Sequence, residues 1–151
     1  MIEETKLIYL DVCALCRPFD DQSYLRIRLE SEAVNLILSK VKEGFYQMVV
    51  SRVHIIEIQA ISDEIERIQF LTLLEKYGKN VKVKLKDARK RAEELVKLRF
   101  GIADAAHVAF AEMAGAEFVL CDRKLINKCR RYKIKVWCGN PVDFCIKEDL
   151  Q

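Results

Sequence analysis

Four carboxylates stand where the chain makes a charge hard to place. Asp11 follows Leu7-Ile8-Tyr9-Leu10, and Glu57 lies inside Ile55-Ile56-Glu57-Ile58. Asp104 lies inside Ile102-Ala103-Asp104-Ala105, and Asp122 closes Val119-Leu120-Cys121-Asp122. A carboxylate among apolar neighbours is costly to bury without a cation or a proton. Asp104 and Asp122 also suit helix N-caps, and Asp11 suits the cap of the turn that follows it. Glu57, inside an apolar helical stretch, has no such role. Convergence of the four accounts for each of them, and their mutual repulsion then demands a compensating charge. A divalent cation supplies one, and all-oxygen ligation suits Mg²⁺ or Mn²⁺ rather than zinc. His54 and His107 lie one turn from Glu57 and Asp104, where an imidazole orients a carboxylate rather than ligating. The paired Glu-x-x-His pattern of di-iron bundles is absent.

The elements that position these groups follow from the apolar pattern. Leu7 to Leu10 is an unbroken apolar run, which predicts a strand covered on both faces, as in a parallel sheet. A polar loop, Arg17-Pro18-Phe19-Asp20-Asp21-Gln22, precedes a helix with Leu25, Leu29, Ala33, Leu36, Ile37 and Val41 on one face, stopped by Gly44. Phe45 to Val50 reads as the second strand, and Ser51 as the N-cap of the helix carrying Glu57. A further helix is expected from Asp63 to Tyr77 with Gly78 as its stop, then an extended segment from Val81 to Leu85. A helix from Asp87 to Arg99 precedes an apolar one, Ala105 to Ala114, capped by Asp104. The chain then predicts a strand (Phe118 to Cys121), a basic helix (Arg123 to Tyr132) and a last strand (Ile134 to Trp137). Strands alternating with helices give an α/β fold with a mainly parallel sheet, and ligands of such sheets bind beyond the carboxyl ends of the strands. Asp11, Ser51 and Asp122 all fall there.

Composition narrows the function classes. The 151 residues, with 5 Gly and 2 Pro, suit a single domain over 1–151 rather than a disordered or linker-rich chain. No apolar run reaches the ~18 residues needed to span a membrane, and the N-terminus from Met1 to Lys6 is acidic where a signal peptide is basic. A cytoplasmic protein with no membrane contact is expected. Six cysteines in a chain of this length do not form a disulfide framework; Cys121, Cys129, Cys138 and Cys145 sit among apolar neighbours as small hydrophobes. A net charge of +3 is too small to imply a polyanion partner, but its distribution is uneven. Arg123, Lys124, Lys128, Arg130, Arg131, Lys133 and Lys135 run without an acid, and Arg123, Lys124, Lys128 and Arg131 share one helix face. A second basic group comprises Lys82, Lys84, Lys86, Arg89, Lys90 and Arg91. Arg17 and Tyr24 are candidates for the border of the same cleft.

The ordered set of acidic motifs resembles the PIN-domain nucleases, including the VapC-type toxins of prokaryotic toxin–antitoxin pairs. Tyr9-Leu10-Asp11-Val12-Cys13 is similar to the first-strand aspartate motif, and Ser51 with Glu57-Ile58 to the second. Gly101-Ile102-Ala103-Asp104-Ala105-Ala106-His107-Val108-Ala109 is similar to the third, and Phe118-Val119-Leu120-Cys121-Asp122-Arg123-Lys124-Leu125 to the fourth. The 17–22 loop resembles a stretch seen in a subgroup of prokaryotic members. Cys13 stands where a small polar residue is common, and Leu120-Cys121 where a Ser or Thr is usual. The resemblance covers nearly the whole chain and implies a three-layer α/β/α fold around a twisted, mainly parallel sheet. It implies a metal-dependent endoribonuclease in which Asp11, Glu57 and Asp104 hold Mg²⁺ or Mn²⁺ and Asp122 assists. An activated water attacks phosphorus in line, leaving a 3′-hydroxyl and a 5′-phosphate. RNA is then the substrate, contacted by Arg123, Lys124, Lys128 and Arg131. Toxin relatives imply a small antitoxin protein as partner, and many dimerise, here through the Leu25-to-Val41 and Asp63-to-Tyr77 helices.

Three rivals compete. Cys13-Ala14-Leu15-Cys16 follows a strand, as a thiol–disulfide exchange motif does, but it leaves Glu57 and Asp104 without a role. An aspartyl phosphotransferase of the haloacid-dehalogenase type needs an acid two residues after Asp11, where Cys13 stands. The third is a PIN-like module that binds RNA or protein without catalysis, and four retained carboxylates oppose it.

Overall fold

The computed structural model describes residues 5–151, so most of the acidic N-terminal stretch lies outside the described residues. Five strands form one sheet: β1 (Lys6–Leu10), β2 (Tyr46–Val50), β3 (Gly78–Asn80), β4 (Glu117–Val119) and β5 (Cys138–Gly139), in the order β3-β2-β1-β4-β5 and parallel throughout. The order reverses beside β1, the first strand, which pairs with β2 on one side and β4 on the other. That reversal opens a crevice at the carboxyl ends of β1 and β4.

Eight helices cover both faces, giving the three-layer α/β/α architecture. They are α1 (Val12–Cys16), α2 (Leu25–Lys42), α3 (Arg52–Gln59), α4 (Glu64–Tyr77), α5 (Leu85–Lys97), α6 (Ile102–Ala114), α7 (Arg123–Arg131) and α8 (Pro141–Lys147); a 3-10 turn, Arg17–Phe19, joins α1 to the loop before α2. Alternation along β1 divides the core. Ile8 and Leu10 pack with α2 and α8 residues such as Val34, Ile37 and Phe144, whereas Tyr9 faces Leu95, Ala105, Val108 and Ile126 from α5, α6 and α7. With helices on both faces, neither side of β1 can be polar, which is why its run is continuous. Among the described residues, no helix is long and apolar enough to cross a membrane.

Several boundaries differ from the expected ones. The third strand is Gly78–Asn80, not Val81 to Leu85, and α5 starts at Leu85. Gly78 ends α4 and enters the sheet at once; a Cβ there would lie 2.3 Å from the Leu74 carbonyl oxygen and 2.2 Å from Val50 Cγ2, so only glycine passes. The last strand is Cys138–Gly139 rather than Ile134 to Trp137. Lys133, at φ 49°, turns the chain after α7, and the ladder to β4 begins only where Phe118 N–H donates to the Trp137 carbonyl. Helices α1 and α8 are additions to the expected set. Helix α8 carries a local signal: Asn140 accepts from the Asp143 N–H as N-cap and Pro141 occupies the first turn.

Candidate metal centre

Asp11 leaves β1 with its backbone extended and caps α1, Oδ1 accepting from the Val12 N–H at 2.8 Å. Its second oxygen, Oδ2, takes the Cys13 thiol at 3.1 Å. Glu57 is carried by α3, which starts directly at the end of β2. Ser51 caps this helix through its hydroxyl, and His54 completes the capping box by accepting the Ser51 N–H on Nδ1 at 3.0 Å. Asp104 is not a cap. Gly101 takes that position, and Asp104 falls in the first turn of α6, so its carboxyl is not committed to the cap. Asp122 is a cap, accepting from the N–H groups of Lys124 and Leu125 at 3.0 and 3.2 Å.

The structure brings Asp11, Glu57 and His107 together: one ligand atom from each lies within 4.8 Å of the others. His107 Nε2 donates to Glu57 Oε1 and stands 3.5 Å from Asp11 Oδ1. His107 is therefore a member of the cluster, in place of the solely orienting role its spacing from Asp104 suggests. Asp104 and Asp122 are not part of this tightest group. Asp104 couples to it through charge: burial first, then the carboxylates of Asp11, Asp122 and Glu57, hold the Asp104 carboxyl above its ordinary pKa. The His107 hydrogen bond outweighs burial and holds Glu57 below its ordinary value. For His107, burial disfavours the imidazolium, yet the Glu57 hydrogen bond and the charges of Asp11, Glu57 and Asp104 together raise its pKa.

Behind the cluster runs a buried polar relay. Tyr9, fully buried, shares hydrogen bonds with Ser51 Oγ at 2.7 Å and with His107 Nδ1. Burial pushes the phenol up, so it stays protonated. His54 does not reach Glu57, contrary to the role its spacing suggests. Its Nε2 donates to the Leu10 carbonyl at 2.6 Å while Nδ1 accepts from Ser51, which ties the end of β1 to the start of α3. Because the Leu10 carbonyl only accepts and the Ser51 N–H only donates, the His54 tautomer is fixed. The sequence reading missed Tyr9 entirely, since a tyrosine in an apolar strand run carries no local mark of a hydrogen-bonding role. Tyr9→Phe is expected to leave Ser51 Oγ and His107 Nδ1 each one partner short. The cost should be about 2 kcal/mol in urea unfolding, with Mn²⁺ binding weakened about tenfold by titration calorimetry; unchanged values in both assays would remove the relay's importance.

The basic helix divides by role. Leu125, Ile126 and Cys129 pack inward, and Arg123, Lys124 and Arg131 are exposed. The Lys128 ammonium donates to the Arg99 carbonyl at 2.7 Å and lies over the Phe100 ring. Tyr132, expected inside, is 38% exposed at the end of α7. In the second basic group, Arg91 is tied to the buried Glu112 through two hydrogen bonds, at 2.7 and 3.2 Å. All six cysteines are free thiols. The Cys13-to-Cys16 pair lacks a reactive thiolate: desolvation and the Asp11 carboxylate push the Cys13 thiol up, and desolvation pushes Cys16 up to about 12.

No protein-family model and no curated protein matches the chain.

Proposed function

We propose that this protein is a metal-dependent endoribonuclease that hydrolyses RNA phosphodiester bonds at the carboxyl edge of its sheet. The observation that carries the reading is the grouping of Asp11, Glu57 and His107 within 4.8 Å, with Asp104 close enough to feel the carboxylates of Asp11, Asp122 and Glu57. The donor set fits a divalent cation, because Asp11, Glu57 and the nearby Asp104 set three carboxylates around a single imidazole, more negative charge than its one proton offsets. The imidazole nitrogen favours Mn²⁺ over Mg²⁺, a hard ion that prefers oxygen.

In this reading Asp11 and Glu57 would hold the ion with Asp104 as a further donor from the first turn of α6, and His107 would join through Nε2 on giving up the proton it now donates to Glu57. Bound there, such an ion would make a coordinated water more acidic and would offset charge developing at phosphorus. Tyr9 orients the His107 ring, and Asp122 holds the start of α7 so that Arg123 and Lys124 face the phosphates beside the cluster. The test is cleavage of a structured RNA and a matching single-stranded DNA by purified protein with Mn²⁺, Mg²⁺ or excess EDTA. RNA cleavage that needs a metal supports the reading. Absence of both cleavage and metal binding would leave a binding module without catalysis.

A further inference from the structure

The loop from Arg17 to Gln22 has no part in the metal centre, yet the chain builds it with unusual care. Gln22 Nε2 donates to the carbonyls of Arg17 and Asp20 at 3.0 and 2.9 Å, and the single Ser31 hydroxyl proton is shared between the Ile27 and Arg17 carbonyls, at 2.6 and 2.9 Å. Arg17 itself pairs with Asp20 and, through Nε and Nη2, with Glu30 Oε1 at 3.2 and 3.1 Å. Glu30 is 3% exposed, and it takes a second arginine: Arg26 Nε lies 3.2 Å from the same oxygen. Burying a carboxylate costs several kcal/mol before pairing, and Arg17 alone would supply a partner. What the second arginine adds is position.

Arg26 leans from α2 across to the other side of the crevice, where Nη2 donates to the Cys121 carbonyl at 2.6 Å. Cys121 immediately precedes Asp122, and Arg123 is the first residue of α7. Arg26 and Arg123 together line a cavity of about 250 Å³ with Glu30 and Asn140 at its side. The Arg26 side chain is still 42% exposed, and among the described residues nothing pairs with its Nη1. Held by Glu30 and by a backbone carbonyl, it has already lost the rotamer freedom that an exposed arginine gives up on binding. Arg17 and Arg26 share the two carboxylates Asp20 and Glu30, and Arg123 lines the same cavity with no ion pair among the described residues. A fixed guanidinium edge beside a second arginine matches a phosphate group.

We infer that Arg26 and Arg123 form an anion-binding subsite that clamps a backbone phosphate of the nucleic-acid strand next to the metal centre. The inference rests on the nuclease reading above and assigns the 17–22 loop its purpose, which is to hold Glu30, and through it Arg26, in place. Glu30 and Arg17 act as positioning residues; Arg26 and Arg123 touch the strand.

The test is binding of a labelled single-stranded RNA to the full chain in EDTA, which removes cleavage from the readout, over a salt series. Arg26→Gln and Arg123→Gln should each bind about tenfold more weakly near physiological salt. Each should flatten the log–log salt slope by about 0.7, the effect of one lost phosphate contact. Mn²⁺ affinity should stay at the wild-type value in both. A strut that merely ties α2 to the start of α7 would lower the melting temperature of Arg26→Gln and leave its salt slope unchanged, which overturns the clamp. Should Arg26→Gln fail to fold, Arg123→Gln decides the matter, since its side chain is exposed; an unaltered slope there overturns the clamp equally. If the wild-type chain binds no RNA in EDTA, the clamp falls while the nuclease reading still turns on metal binding and cleavage, and RNA binding indifferent to both variants likewise removes the subsite alone.

Discussion

Asp11→Asn is expected to lower metal-dependent RNA cleavage by about 10³-fold or more while the fold stays in place. The two halves of this expectation have separate causes. Asn keeps a carbonyl oxygen where Oδ1 caps α1, so the bond from the Val12 N–H survives. It removes the negative charge that stands nearest His107 after Glu57, and with it a ligand of the proposed ion. In EDTA the variant should melt no lower than wild type, because one of the mutually repelling acids around Asp104 is gone. In Mn²⁺ the wild type should gain stability that the variant does not, about 2.7 kcal/mol at a hundred times the dissociation constant. Cleavage assays with both proteins from parallel preparations, paired with melting curves, check both halves. Full activity in Asp11→Asn would end the assignment.

The second large effect is on acid stability. His54 is 1% exposed, and burial, reinforced by the charge of His107, lowers its pKa to about 4 from an ordinary 6.5. Above pH 6.5 it is neutral in folded and unfolded chains alike and contributes nothing to the pH dependence. As pH falls from about 6.5 toward 4, the unfolded chain takes up a proton that the native His54 refuses, so stability is lost over that window. The full difference is about 3 kcal/mol. His107 works in the opposite direction: its pKa is raised in the fold, so it contributes most below pH 6.5 and loses that contribution as pH rises through its folded value. The two are separated by comparing wild type with His54→Gln in EDTA. The variant should be less stable at pH 7, having lost the bond to Leu10, but the gap should close by about 3 kcal/mol by pH 4. Parallel stability curves for the two proteins across this range would show that His54 is not the acid-sensitive group.

Much of the frame was legible locally. The apolar run of β1 and the Ser51 cap are each properties of a few consecutive residues, and they placed Asp11 and Glu57 at one end of a parallel sheet. The amphipathic pattern of α7 was equally plain, with Leu125, Ile126 and Cys129 inward. Short elements were harder. Strand β5 has two residues, too few for periodicity to register, and its position depends on where Lys133 turns the chain. Asp104 looked like a cap because Asp is a common one, but Gly101 starts the helix three residues sooner.

By itself, then, the sequence determined which segments alternate as strand and helix, and which acids stand at strand ends, because backbone periodicity and capping act over a handful of residues. It did not reveal that His107 meets Glu57 across 50 residues, that Tyr9 links Ser51 to His107, or that Arg26 meets the Cys121 carbonyl 95 residues away. Those pairings depend on the order of the strands and on which helix covers which face of β1. Tyr9 points to the α6 side only because Ile8 and Leu10 point to the α2 side. Lys128 is the converse case: its helical face marked it for phosphate, and the packing of α7 sets its ammonium against the Arg99 carbonyl and over the Phe100 ring. Side-chain partnerships across long separations are set by tertiary packing, and in this protein they decide what surrounds each acid.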